Sequence, residues 1–239
     1  MKQNAAGARV PEVIGALDFG ALDQAMGVLD ELGDLCRFYK VGSELFTAEG
    51  PPAVARLRSA GCEVMLDLKF HDIPNTVAGA VRSARDLGAR LLTVHAAGGE
   101  AMLRAAAEAA GDGCEVYAVT VLTSLDGAAL TAAWGRESVD LSREVVRLAT
   151  QARDAGVAGV VASGSEVEAI KGAVGPTFGV LLPGVRPAGG EAGDQKRVVT
   201  PRDARRLGAD YVVVGRAVTA AADRRGAMER VLQELTAAG

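Results

Sequence analysis

The stretch Val54-Ala-Arg-Leu-Arg-Ser-Ala-Gly-Cys-Glu-Val-Met-Leu-Asp67 reads as the end of an amphipathic helix, a glycine, and then an apolar strand. The same order returns in Ala84-Arg-Asp-Leu-Gly-Ala-Arg-Leu-Leu-Thr-Val-His95, in Ala152-Arg-Asp-Ala-Gly-Val-Ala-Gly-Val-Val-Ala162, and in Ala204-Arg-Arg-Leu-Gly-Ala-Asp-Tyr-Val-Val-Val-Gly215. In each, the glycine stands just past a helix C-terminus, where the chain favours a left-handed residue. The β-branched run that follows suits a buried strand. Marker glycines Gly33, Gly61, Gly88, Gly156 and Gly208 lie one, one, more than two and two repeats apart, for a repeat of ~25–30 residues, the length of a βα unit.

Filling the gaps predicts strands over 13–19, 37–42, 63–69, 91–96, 115–122, 158–163, 178–183 and 211–215. Helical patterns follow each, clearest over 22–32, 76–87, 99–110, 142–155 and 223–237. Strands that alternate with helices imply a parallel sheet with right-handed crossovers. Eight such units in 239 residues fit a (β/α)8 TIM barrel, with an open doubly wound sheet as the alternative. No Pro- or Ser-rich linker divides the chain, so residues 1–239 read as one domain, with 1–11 a loose polar lead-in.

Composition narrows the function classes. Hydrophobic residues make up 49% of the chain, enough for a core, and the net charge of −4 comes without a polybasic tract. Binding to nucleic acid or an anionic membrane is therefore not indicated. Three scattered cysteines (Cys36, Cys62, Cys114) and two histidines argue against a zinc site or a disulfide framework, so reduced structural thiols are expected. There is no basic segment followed by an apolar stretch at the N-terminus, nor an apolar run near the ~18 residues of a membrane span. A cytoplasmic protein is expected.

The chemistry gathers in Leu66-Asp-Leu-Lys-Phe-His-Asp-Ile-Pro-Asn-Thr-Val77. Asp67 and Lys69 sit in a run that should be a buried strand, and charges are not buried unpaired without a large cost. Strand periodicity puts both on one face. Pro74 suits the first turn of a helix, so the strand should end near Phe70 and leave Asp72 on the turn. In a barrel, active sites lie at the C-terminal ends of the strands. Those ends carry Asp18, Lys40, Asp67 and Lys69, His95, Thr123 and Ser124, Ser163, Pro183-Gly184-Val185-Arg186, and Gly215-Arg216. Two acids and two lysines at one mouth make a charge network rather than a metal cage. Loops after strands seven and eight often hold phosphate in barrels. Here they carry Gly184, Arg186, Gly215 and Arg216, and the glycine-rich segment 186–198, with Gln195, has the length of a lid. Taken singly, His95 reads as a barrel residue donating to a carbonyl, and His71 as a turn residue.

Together these residues resemble the orotidine 5′-phosphate decarboxylase family in its bacterial form. The resemblance rests on Asp67-Leu-Lys69-Phe-His-Asp72-Ile73-Pro74-Asn75-Thr76. It extends through Leu17-Asp18-Phe19, Lys40-Val41-Gly42, Val94-His95-Ala96, Leu122-Thr123-Ser124, Pro183-Gly184-Val185-Arg186, Asp194-Gln195-Lys196-Arg197 and Val214-Gly215-Arg216. The bare Asp-x-Lys-x-x-Asp pattern is shared with sugar-phosphate decarboxylases and synthases; the longer run is more specific. Arg224 departs from the pattern, at a helix start where proline is expected.

The resemblance implies decarboxylation of orotidine 5′-monophosphate to UMP and CO2 in pyrimidine synthesis, with no cofactor and no metal. It assigns Lys69 as proton donor to C6, flanked by Asp67 and Asp72, with Lys40 linking the acids to the ribose side. Asp18 would bind a ribose hydroxyl, Thr123 and Ser124 would meet the pyrimidine, Ser124 at its amide edge, and Pro183 would contact the substrate. Arg186, Gln195, Gly215 and Arg216 would hold the phosphate. Asp72, Ile73 and Thr76 would reach into the neighbouring site of a homodimer. The rivals are a magnesium-dependent sugar-phosphate decarboxylase or synthase, a non-catalytic nucleotide-binding barrel, and a Schiff-base aldolase. Lys40 argues against the first, the intact Lys69, Asp67 and Asp72 against the second. Adjacent carboxylates, which favour the ammonium over the nucleophilic amine, argue against the third.

Overall fold

The computed structural model describes residues 9–187 and 199–237. Its eight strands are β1 (Glu12–Leu17), β2 (Phe38–Gly42), β3 (Glu63–Phe70), β4 (Leu91–His95), β5 (Glu115–Val119), β6 (Gly159–Val161), β7 (Gly179–Leu182) and β8 (Tyr211–Val214). All neighbours are parallel, and β8 pairs back onto β1, so the sheet is a closed (β/α)8 barrel rather than an open sheet. The helices among the described residues are α1 (Leu22–Leu32), α2 (Ser43–Glu49), α3 (Pro51–Ser59), α4 (Pro74–Asp86), α5 (Glu100–Ala110), α6 (Gly127–Trp134), α7 (Leu141–Asp154), α8 (Val167–Val174), α9 (Pro201–Arg206), α10 (Arg216–Thr219) and α11 (Arg224–Thr236).

The five marker glycines all have positive φ, as the repeat requires. Each therefore ends a helix and releases the chain into the next strand. Two cores result. Inside the barrel, Ile14, Phe38, Met65, Leu91, Tyr117, Val119, Val161, Leu181, Tyr211 and Val213 fill the bore. Outside it, the opposite faces of the strands meet the apolar stripes of the helices, for example Val77, Val81 and Ala84 of α4 against Val64 and Leu66. The three cysteines are buried and unpaired.

Several expectations shift by a few residues. The fifth strand, expected to reach 122, ends at Val119, where its pairing with β6 also ends at Val161; Thr120 still donates its amide and its hydroxyl to the Val161 carbonyl. The crossover after β2 is two short helices, since Gly50 has positive φ and Pro51 suits only a new helix start. The last helix begins at Arg224 without proline. Asp223 caps it by accepting from the Gly226 amide, and Arg224 pairs with Glu31 at 2.5 Å. Of the expected lead-in, residues 1–8 lie outside the described residues, while Pro11 is buried and Arg9 pairs with Asp210.

Candidate active site

The strand ends deliver their charges to one place. Lys40 on β2 extends its ammonium between two carboxylates, 2.6 Å from Asp18 Oδ1 and 3.7 Å from Asp67 Oδ2. Lys69 on β3 lies 2.9 Å from Asp67 Oδ1. The result is a row of alternating charge, Asp18–Lys40–Asp67–Lys69. A Cβ on Gly42 would come within 2.8 Å of the Lys40 ammonium and 3.1 Å of Asp18, so a larger residue here would make these two side-chain ends shift.

Asp67 is only 9% exposed. Burial pushes its carboxyl up, but the Lys69 and Lys40 charges, with hydrogen bonds from Lys69 and Thr93, outweigh that and hold it below its usual range. It is a buried anion held by two cations, an arrangement that leaves no burden of unpaired charge.

Lys69 departs from strand geometry. Its φ of 49° is the one positive value at a non-glycine residue among the described residues, a conformation that costs roughly 1–3 kcal/mol. The cause lies in the pairing with β4. Leu66 pairs with Leu92, yet Phe70 pairs with Val94, so β3 advances four residues where β4 advances two. Period-2 alternation therefore does not explain how Asp67 and Lys69 come together; a bulge carries Lys69 out of the ladder and its side chain back to Asp67.

Thr93, which the sequence reading passed over, closes this corner. Its hydroxyl donates to Asp67 Oδ1 at 2.8 Å and accepts from the Lys69 amide at 3.0 Å, and the residue has no exposed surface. A polar residue in the apolar run Leu91-Leu92-Thr93-Val94 was the signal available for it.

Below the charges lies a cavity of about 340 Å³. Its floor is apolar, from Ala16, Met65, Val119, Val161, Leu181 and Val213, the upper layer of the barrel core. Its walls include Thr123, Ser124, Pro183, Gly184, Arg186, Gly215 and Arg216, all expected at the site, together with Leu122, which is 40% exposed. Gln195 and the rest of the expected lid from 188 to 198 lie outside the described residues, as do Asp194, Lys196 and Arg197.

Asp72, Ile73 and Thr76 do not line this cavity. They belong to an uninterrupted exposed run, residues 71–76, in which Ile73 is 67% exposed. Asp72 accepts from the Ile73 amide at 2.6 Å and makes no ion pair with another described residue.

The two histidines stand next to the array, ring centroids 5.4 Å apart. Burial, and then the His71 and Lys69 charges, lower the His95 pKa, with Asp67 pulling the other way. The carbonyl partner expected for His95 is not found among the described residues. Ser163 is turned away to cap a short helical turn with Glu166. No cluster of three His, Cys, Asp or Glu side chains able to hold a metal ion occurs among the described residues, and no described helix is long and apolar enough to cross a membrane.

A closed parallel barrel whose C-terminal mouth carries alternating acids and lysines over an apolar floor is the build of a barrel enzyme. The chain belongs to the orotidine 5′-phosphate decarboxylase / HUMPS family, whose model matches residues 11–231. It is 52% identical over 223 residues to an orotidine 5′-phosphate decarboxylase of Anaeromyxobacter sp. strain K, covering 92% of this chain and 96% of that protein. It is 48% identical over 232 residues to one of Moorella thermoacetica, covering 94% and 92%. Among solved structures, orotidine 5′-phosphate decarboxylase of Lactobacillus acidophilus matches with a TM-score of 0.84 at 35% identity, covering 95% of this chain and 100% of that one.

Proposed function

We propose that the protein is a cytoplasmic, homodimeric orotidine 5′-phosphate decarboxylase that converts orotidine 5′-monophosphate to UMP and CO2 in pyrimidine synthesis. The observation that carries this reading is the Asp18–Lys40–Asp67–Lys69 row at the cavity rim. Loss of CO2 breaks the C6–carboxylate bond and leaves its electron pair in the ring plane, where no neighbouring carbonyl can delocalise it. Stabilisation must then be electrostatic and set in place beforehand. Lys69 supplies the positive charge, and then the proton to C6; the resulting amine regains a proton from solvent. Asp67, held ionised by its neighbours, fixes the ammonium.

Other roles follow from position on the rim. Asp18 takes a ribose hydroxyl, and Lys40 joins the acids to the ribose side. Thr123 and Ser124 meet the pyrimidine, with Ser124 at its amide edge, and Pro183 contacts the substrate from the cavity wall. Arg186, Gly215 and Arg216, with Gln195, hold the phosphate. Stabilisation on the order of 20 kcal/mol is required for such a reaction, more than one lysine gives, so binding of the distant phosphate contributes as well. Asp72, Ile73 and Thr76 serve the partner's site. Their exposure, and their absence from the cavity of their own chain, support that assignment.

The family also spans the HUMPS group, but a metal-dependent reaction needs free carboxylates. Here Asp18 and Asp67 already share the Lys40 ammonium. The test is loss of the ultraviolet absorbance of orotidine 5′-monophosphate with EDTA present and no added metal. Absence of turnover sinks the reading. Lys69→Ala should lower kcat by a factor on the order of 10³ or more while UMP still binds.

A further inference from the structure

Thr93 sits where β3 and β4 fall out of register. Up to Leu66 the two strands pair regularly, and pairing resumes only at Phe70. In a regular ladder the Lys69 amide would face β2, as the Glu63 amide does, but pairing with β2 ends at Asp67. The bulge turns this amide toward β4 instead, where the Thr93 hydroxyl receives it at 3.0 Å. A threonine hydroxyl has one proton and two lone pairs. Here the proton is committed to Asp67 Oδ1, at 2.8 Å, while a lone pair receives the amide. One buried hydroxyl therefore ties the backbone of Lys69 to the same carboxylate oxygen, Asp67 Oδ1, that its own ammonium grips at 2.9 Å. The three groups form a closed ring of contacts: Lys69 amide to Thr93, Thr93 to Asp67, Asp67 to Lys69 ammonium.

We propose that Thr93 is a positioning residue: its hydroxyl holds the left-handed backbone of Lys69 and orients Asp67, so that the ammonium projects over the cavity at a fixed place. This deepens the decarboxylase reading and rests on it for its catalytic consequence. A residue that merely fills the core would behave differently. Valine has the same shape, so replacing a packing threonine would leave the Asp67–Lys69 geometry alone. If the hydroxyl does the positioning, valine strands the Lys69 amide without an acceptor and takes one donor from a buried carboxylate. An isosteric side chain also leaves no room for a water to substitute.

The experiment compares wild type, Thr93→Val and Thr93→Ser, with Thr93→Ala as the second truncation should valine not fold. Two readouts need no substrate: the titration of Asp67 followed by carboxyl carbon NMR, and the amide proton shift of Lys69. Two use the reaction: kcat for orotidine 5′-monophosphate, and the Kd for UMP. Expected for Thr93→Val are a higher Asp67 titration midpoint, a displaced Lys69 amide signal, kcat lower by roughly 10- to 100-fold, and a UMP Kd within about threefold of wild type. Thr93→Ser, which keeps the hydroxyl, should recover all four to within about threefold or an equivalent small shift. An unchanged Asp67 midpoint and Lys69 signal in Thr93→Val and Thr93→Ala overturns the proposal, even where the wild type turns over. So does a loss of UMP affinity equal to the loss in kcat/KM. A wild type that does not act on orotidine 5′-monophosphate overturns the decarboxylase reading instead, and the two substrate-free readouts then decide the role of Thr93 alone.

Discussion

His95 stands at the end of β4 with its ring 5.4 Å from that of His71 and its pKa held below the usual 6.5, first by burial and then by the neighbouring positive charges. The fold thus favours the neutral ring. Where a folded-state pKa lies below the unfolded one, protons are taken up on unfolding. The stabilisation is complete above the unfolded pKa and is lost as pH falls from there through the folded one. The urea midpoint of the wild type should therefore fall between about pH 7.5 and about pH 5 by more than that of His95→Gln. Parallel slopes for the two proteins would remove His95 from the account. Lys69 shows where residue-level reading stops. Its identity, its neighbours and its strand were legible, because a charged residue in an apolar run announces itself. Its left-handed backbone was not, since nothing in Asp-Leu-Lys-Phe distinguishes a regular strand from a bulged one, and alternation already put both side chains on one face.

Among the elements, β6 and β7 are brief, three and four residues, and they pass each other closely over the ring of Tyr117. A Cβ on Gly159 would lie 2.5 Å from the Gly179 carbonyl oxygen and 2.5 Å from Tyr117 Cε1. The backbone contact cannot be relieved by a rotamer change. Gly159→Ala should cost about 1–3 kcal/mol, read as a lower urea midpoint. Gly172, inside α8, has open space around its Cα, and Gly172→Ala should raise the midpoint by up to about 1 kcal/mol. A Gly159→Ala protein as stable as wild type would show that the sheet yields more easily than this packing implies. The repeat of helix end, glycine and strand made most elements readable, because it is written in local chemistry. Lengths were less so. β5 stops at Val119 because its partner β6 ends at Val161, a pairing between residues far apart in sequence.

At the scale of the molecule, the proposed dimer makes the strongest demand. If Asp72 serves the partner, then a mixed dimer of Lys69→Ala and Asp72→Ala chains has one site with both defects and one with neither. Mixing the two inactive proteins should restore roughly a quarter of wild-type activity, since half the dimers are mixed and each has one intact site. No recovery after subunit exchange would return Asp72 to its own chain. The whole-chain motif order was visible beforehand, and the resemblance pointed Asp72, Ile73 and Thr76 at a partner; the exposure of Ile73 was not, because an isolated apolar residue on a turn looks the same in sequence whether it is covered or not. Closing the sheet on itself has one more consequence. With β8 paired to β1, no strand among the described residues is left with an open row of amide and carbonyl groups. Edge-to-edge pairing, the common route by which β-rich proteins aggregate, has no template here. In the proposed dimer, two copies would meet through side chains, displayed on the turn that leads out of β3.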